Sequence, residues 1–244
     1  MKKPLIAVVA ALSVWTGAAQ AGALVDVAVI NRATGERIPV YAHRGRAYVP
    51  GTPSAKYSLL ISNKTGERVL AVASVDGINV ITGETATPAQ SGYVLDPWGS
   101  VDIAGWRKSM GEVAAFVFTP LLDSYAARTD RPGNVGVIGV AVFREVQAPR
   151  PPAVLQQPFS GADRRESEAR SSKPEEKLGT GHGEREASEA RWTQFRRAGE
   201  RPAELLVIYY DSRANLIARG IIPGAARAEP NPFPGFRFAP DPRG

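Results

Sequence analysis

The 244-residue chain carries 30 lysines and arginines against 24 aspartates and glutamates, and it contains no cysteine. A net charge of +6 over this length does not predict nucleic-acid binding, which needs a clustered basic face. Without cysteine the chain can form no disulfide and cannot carry the lipid of a bacterial lipoprotein, so its stability must come from core burial.

The N-terminal residues have the three zones of a secretory signal peptide, residues 1–21. Lys2 and Lys3 supply positive charge, residues 5–14 form a short uncharged apolar run, and Ala19-Gln20-Ala21 fits the small-residue pattern of a cleavage site. The apolar run is shorter than the roughly 20 residues that a bilayer anchor needs, and no later segment is long and apolar enough either.

We therefore expect cleavage after Ala21 and a soluble protein in the periplasm or outside the cell, with no membrane span or lipid anchor. The mature chain would keep 28 lysines and arginines against 24 acidic residues, a net charge of +4.

Residues 22–147 have the pattern of an antiparallel β-sandwich-like domain. Short runs rich in branched and aromatic side chains alternate between apolar and polar positions, with Gly, Pro and Asn between them. Asp76-Gly77 is typical of a type I′ hairpin turn. The predicted strands lie at residues 24–30, 57–61, 69–75, 92–95, 100–103, 114–119 and 135–143.

The character of the sequence changes at residues 148–190, which we predict to be a long disordered, charged and Pro-rich insert. Between residues 162 and 191, 15 of 30 residues are charged, with seven positive and eight negative, and aromatic residues are absent. Such a composition buries too little apolar surface to offset the entropy lost on ordering.

Structure is predicted to return at residues 191–222 as a short helix and a β-hairpin that packs back on the β domain. Trp192 and Phe195 would share one face of the helix, and the hairpin strands would be 204–210 and 216–222. Tyr209 and Tyr210 are adjacent on a strand, so one should point into the core and the other outward. Residues 223–244 are predicted to form an extended Pro-rich tail.

No catalytic, cofactor or metal signature is present in the sequence. The histidine with most potential is His182, which lies among glycines and carboxylates such as Glu184, but no second histidine or cysteine stands at metal-ligand spacing. Asp76, Asp96 and Asp102 are expected to have backbone roles at turns and strand edges. We predict no cofactor and no metal.

Three aromatic residues between positions 92 and 108 are the other candidates for binding, together with His182. Tyr93, Trp98 and Trp106 would stack on a sugar ring or dock a peptide if exposed, whereas the alternative is that they belong to the core. Pro97-Trp98-Gly99 has the composition of a loop tip, which favours exposure of Trp98.

Residues 74–80 (SVDGINV), 92–108, 179–186 and 209–216 resemble those of a family of exported proteobacterial proteins of unknown function. The resemblance extends over most of the mature chain and implies export, but it implies no chemistry.

Two functions follow as expectations. The first is a non-enzymatic envelope module whose partner is a protein or a glycan, with no nucleic acid bound. The alternative is a hydrolase of an envelope polymer that uses His182 and a nearby carboxylate.

Overall fold

The computed structural model describes residues 20–146 and 177–224, which form two packed β-sheets. The mostly β sandwich predicted from the sequence is confirmed. The predicted signal peptide lies outside the described residues up to position 19, as do residues 147–176 of the insert and residues 225–244 of the tail.

The strands and helices follow one another along the chain with short connections. Two short 3₁₀ helices, Leu121–Asp123 and Pro132–Asn134, flank the first α-helix. The elements are β1 (Gln20–Ala21), β2 (Val25–Asn31), β3 (Tyr41–His43), β4 (Arg46–Gly51), β5 (Lys56–Asn63), β6 (Val69–Val75), β7 (Ile78–Asn79), β8 (Tyr93–Leu95), β9 (Ser100–Ile103), β10 (Gly105–Arg107), β11 (Glu112–Pro120), α1 (Tyr125–Arg128), β12 (Val137–Arg144), β13 (Leu178–Ala187), β14 (Glu204–Ser212) and α2 (Arg213–Ala218).

The two sheets have seven strands each. Sheet A has the order β1-β2-β5-β11-β10, with β13 also paired to β11 and β9 to β5. Sheet B has the order β3-β4-β14-β12-β6-β7, with β8 beside β6. The pairing of β14 with β4 is parallel, and the other strand pairs are antiparallel, so sheet B is mixed.

The core lies between the sheets and is built by strict alternation along the strands. On β6, residues 69, 71, 73 and 75 face the core, while Leu70 and Val72 pack on the outer face of sheet B. Tyr210 of β14 is buried against Phe118 of β11, with 5.5 Å between ring centroids. Tyr209 points to the opposite face and stacks on Tyr48, so the predicted division of the tyrosine pair is confirmed.

The predicted disordered insert is wrong for its last part, because residues 178–187 form the ten-residue strand β13 along β11. The glycines of this stretch let the strand lie close to its neighbours. A Cβ at Gly179 would come within 2.7 Å of Ser124 and Val135, and one at Gly183 within 2.8 Å of the Ala115 carbonyl. The charged residues within this strand, Glu184, Arg185 and Glu186, lie in its second half, which is more exposed than the first.

The region after the insert joins the β fold, but as one strand and a helix in place of the predicted hairpin. Strand β14 is followed by α2, which begins where the Ser212 hydroxyl accepts a hydrogen bond from the Asn215 amide at 3.1 Å. Leu216 is fully buried and packs with Tyr48 on the outer face of sheet B. The apolar spacing fits a strand and a helix equally well, and the serine cap and this packing favour the helix.

The short helix predicted before β14 is also wrong. Residues 188–197 do not form a helix, and their main chain is bonded to other segments of the chain instead. The Ser188 and Ala190 amides donate to the carbonyls of Gly111 and Met110 at 2.8 Å each, and Arg197 forms a bridge with Glu145.

Candidate binding site

A surface cleft of about 700 Å³ opens where β8 of sheet B approaches β9 of sheet A. One wall comes from Leu70 and Tyr93 of sheet B, and the other from Val101 and Asp102 of β9. Residues 188–197, which we call the covering segment, complete the cleft with Trp192 and Phe195. The size is that of a typical small-ligand site.

The covering segment is held in place by arginines from the sandwich. Arg68 of the β5–β6 loop donates to the Thr193 hydroxyl at 3.2 Å and to the Gln194 carbonyl at 3.0 Å. Arg197 of the segment lies over the Phe143 ring at 4.2 Å and donates to the carbonyls of the loop before β8 at residues 88 and 90. Burial in this cage lowers the pKa of Arg197.

Arg107 connects one wall of the cleft, at Tyr93, with the start of the covering segment, at Ser188. Its Nε donates to the Tyr93 hydroxyl at 3.0 Å, and its Nη1 and Nη2 donate to the carbonyl and hydroxyl of Ser188 at 2.8 and 3.1 Å. One side chain therefore fixes the Tyr93 ring relative to the start of the covering segment, which makes the cleft preorganised.

Trp192 is the most exposed large aromatic side chain at the cleft, with 83% of its surface accessible. The contacts of Arg68 and Phe195 hold the chain immediately after it, and those of Ser188 and Ala190 hold the chain before it. A flat apolar ring is thus presented to solvent from an anchored backbone, which is uncommon for a residue type that is usually largely buried.

The charges around the cleft nearly balance. The lining contains two acidic residues, Asp102 and Glu189, and three arginines, of which Arg107 and Arg197 already donate to hydroxyl and carbonyl oxygens of the protein. The cleft therefore offers hydrogen-bond donors and acceptors without a strong field of either sign, which suits a polar ligand of low charge.

Of the four residues singled out in the sequence, only Tyr93 lines the cleft. Trp98 is 71% exposed, as its loop composition predicts. It lies beside Gly66 of another loop, where a Cβ added to the glycine would come 3.8 Å from the indole nitrogen. Trp106 is 2% exposed and packs edge-on to Phe116 in the core, and its indole nitrogen has no hydrogen-bond partner among the described residues.

His182 lies on β13 beside two aromatic rings. Its ring is parallel to that of Trp106, with 6.4 Å between centroids, and 5.4 Å from the Tyr125 centroid. Partial burial, assisted by the positive charges of Lys108 and Arg185, lowers the pKa of His182. The Glu184 carboxylate is bound to Lys56 Nζ at 2.9 Å.

The sequence did not predict four residues that form the cleft, namely Arg107, Trp192, Phe195 and Arg197. The sequence did contain one indication of a binding site, because Trp192 stands at the end of a highly charged stretch in which burial of a tryptophan by its neighbours in the chain is improbable. That signal was interpreted as the face of a helix because two aromatics stood three residues apart.

A closed polar network at the centre of the sandwich involves one of the three aspartates considered above. Asp76 Oδ1 accepts from the Gly136 amide at 2.9 Å and the Tyr210 hydroxyl at 2.5 Å, and Oδ2 accepts from the Thr180 amide at 2.8 Å. The Thr180 hydroxyl lies 2.6 Å from both the Tyr57 and the Tyr210 hydroxyl. Asp76 is buried in the β6–β7 turn with a φ of +53°, so its role is structural.

Burial changes the acidity of this network more than its hydrogen bonds do. Desolvation raises the pKa of Asp76 despite the bonds from Tyr210 and the main chain, which oppose the change. The pKa values of Tyr57 and Tyr210 are raised well above the usual tyrosine value by burial and by the neighbouring Asp76.

The fold and the cleft define a class, a two-sheet β-sandwich with a preorganised surface cleft. Comparison of the chain with known protein families, with characterised proteins and with solved structures finds no match in any of the three. Within residues 20–146 and 177–224, no helix has the length and apolarity to cross a membrane, and no three His, Asp or Glu side chains are grouped to hold a metal ion.

Proposed function

We propose that this protein is a non-enzymatic, exported glycan-binding module, and that the cleft beside Trp192 is its binding site. The observation that carries the proposal is the 83% exposure of Trp192 on an anchored segment, in a cleft that the half-buried Tyr93 also lines. Aromatic rings stack on the apolar C–H faces of sugars, whose hydroxyls then need mixed donors and acceptors at the rim.

The polar groups of the cleft support a sugar over a highly charged ligand. Asp102 and Glu189 supply acceptors for hydroxyl groups, and Arg191 supplies donors on the same rim. The apolar side chains of Leu70 and Val101 on the two walls provide contact area without a hydrogen-bond demand. Such a combination is typical of specific small-ligand sites.

Export with cleavage after Ala21 is part of this proposal, and such cleavage would remove the two-residue strand β1 that pairs with β2. The Glu204 carboxylate accepts hydrogen bonds from the main-chain amides of Ala23 and, at 2.9 Å, Leu24. A chain that starts at Gly22 keeps these bonds and brings its new ammonium group close to the same carboxylate. The intact mass of protein from the exported fraction checks the start site; a mass that retains residues 1–21 contradicts export with cleavage.

The test uses tryptophan fluorescence of the mature protein titrated with soluble chito-oligosaccharides and, separately, with solubilised peptidoglycan strands. We expect a saturable change in emission, because an exposed indole loses water when a sugar stacks on it. Substitution Trp192→Ala should weaken binding at least about tenfold, measured by calorimetry, since a central aromatic contact is typically among the largest single contributions to binding.

The matched control is Trp98→Ala, which removes another exposed tryptophan that does not line the cleft. It should leave the affinity unchanged. Equal loss in both variants, or no saturable binding of either sugar polymer, contradicts the proposed site. Binding of an extracted envelope protein that depends on Trp192, without sugar binding, would replace the glycan by a protein partner.

The hydrolase alternative has less support from the geometry. A histidine general base needs a carboxylate or other group to orient it and a substrate within hydrogen-bond reach. The charged groups that act on His182 are the cations Lys108 and Arg185, and Glu184 is bound to Lys56.

A further inference from the structure

A second concavity, of about 410 Å³, lies at the edge of sheet B opposite to the cleft. It is formed by the β3–β4 hairpin and by the chain just after α2, and it shares no lining residue with the cleft. We call it the arginine pocket, because three of its six lining residues are arginines. The six lining residues are His43, Arg44, Arg46, Tyr48, Arg219 and Ile221.

The hairpin places two of the arginines by a tight turn. Arg44 and Gly45 form a two-residue connection in which both residues have positive φ, +49° and +73°. Such turns favour Asn, Asp or Gly at the first position, and a long side chain in this conformation carries a conformational cost. Asn, Asp or Gly would therefore occupy the position of Arg44 with a smaller conformational cost than arginine does.

Aromatic rings orient the guanidinium groups of Arg46 and Arg219. Arg219 lies over the Tyr48 ring at 5.5 Å, and Arg46 lies over the Tyr209 ring at 5.2 Å. The two rings are themselves in contact, with 5.6 Å between centroids. A guanidinium over a ring keeps its N–H edge available for hydrogen bonds, so the rings orient both arginines without using their donors, although one donor of Arg219 contacts Asp211 at 3.4 Å.

The positive charge of the arginine pocket is incompletely neutralised. Arg219 Nη1 is 3.4 Å from Asp211 Oδ2, whereas Arg44 and Arg46 form no ion pair with any residue of the described ranges. The Asp211 carboxylate is itself 4% exposed, and its Oδ1 accepts from the Leu178 and Ser212 amides and from Asn215. Mutual repulsion of uncompensated cations in a concavity is relieved when an anion binds.

We propose that the arginine pocket binds a phosphate group, carried by a free phosphate compound or by a phospholipid head group. Planar guanidinium forks from different chain segments match the oxygens of a tetrahedral phosphate, and arginine is the side chain that makes such bidentate contacts. This site is independent of the glycan cleft, and failure of either proposal leaves the other unaffected.

The test is calorimetric titration of the mature full-length protein with inorganic phosphate at low ionic strength. We expect saturable binding that weakens as salt is added, because exposed charges are screened. Arg46→Gln should weaken binding about tenfold or more, and Arg46→Lys should lose a smaller part, since it keeps the charge but not the fork. Arg128→Gln, an exposed arginine on α1 away from the pocket, should change nothing.

A second arm separates the two sources of the phosphate group. Vesicles of phosphatidylcholine with and without phosphatidylglycerol are sedimented with the protein. Retention only on the phosphatidylglycerol vesicles, lost in Arg46→Gln, assigns the site to a lipid head group even when inorganic phosphate gives no heat. Absence of binding in both arms overturns the proposal, and so does binding that Arg46→Gln leaves unchanged while the variant unfolds like the parent protein.

Discussion

A fragment of residues 22–146 is expected to fail to fold, although it contains nearly the whole of the predicted β-sandwich domain. Strand β14 lies between β4 and β12 in sheet B, so its removal divides the sheet in two and leaves β4 and β12 each with an unpaired edge. The fragment also lacks Leu178, Ile208 and Tyr210 from the core. Burial of each large side chain contributes roughly 1.5–3 kcal/mol, and a domain has only about 5–15 kcal/mol in total.

The measurement is urea unfolding followed by circular dichroism, together with binding of a hydrophobic dye. We expect no cooperative transition and strong dye binding from the fragment, and a cooperative transition when a separate 177–244 fragment is added. A chain of residues 22–244 is the reference. A 22–146 fragment that is monomeric and as stable as that reference contradicts the single-sandwich fold.

The second large effect is expected from Asp76→Ala. This change leaves the amides of Gly136 and Thr180 and the hydroxyl of Tyr210 without their acceptor in the core. Each unsatisfied buried donor costs about 1–3 kcal/mol, and alanine at a positive φ adds about 1 kcal/mol. We expect a loss of about 4 kcal/mol or more in the free energy of unfolding, measured in urea.

Asp102→Ala is the matched control, because this aspartate is exposed and its loss should change stability by less than about 0.5 kcal/mol. A loss below about 1 kcal/mol in Asp76→Ala would mean that the network contributes little to stability.

The pH dependence of the same site is measured against Asp76→Asn, which tolerates the positive φ. Burial raises the pKa of Asp76 in the folded protein, so the unfolded chain, with a pKa of about 3.9, loses its proton first as pH rises. The wild-type free energy of unfolding should therefore fall relative to the variant from about pH 4 up to the folded pKa, by at most about 1.4 kcal/mol per pH unit. A relative gain of the wild type with rising pH contradicts this direction.

The sequence alone predicted the strands whose pattern is local. Val69–Val75 and Val137–Arg144 lie within a residue or two of the predicted ranges, because alternating branched side chains and turn residues report directly on a half-buried strand. The Asp76-Gly77 turn is also confirmed, with φ values of +53° and +74°. These features depend on neighbours in the chain and on backbone preferences.

Only the tertiary structure decided the features that depend on distant partners. The charged, glycine-rich stretch at 178–187 is a strand because β11 provides its hydrogen bonds, and Thr180 is buried there because Asp76, 104 residues away, accepts its amide. The stretch at 213–218 is a helix because Leu216 has the Tyr48 face to cover. The exposed Trp192 belongs to a cleft because Arg68 and Arg107 anchor the segment around it, and local composition contains no information about such long-range contacts.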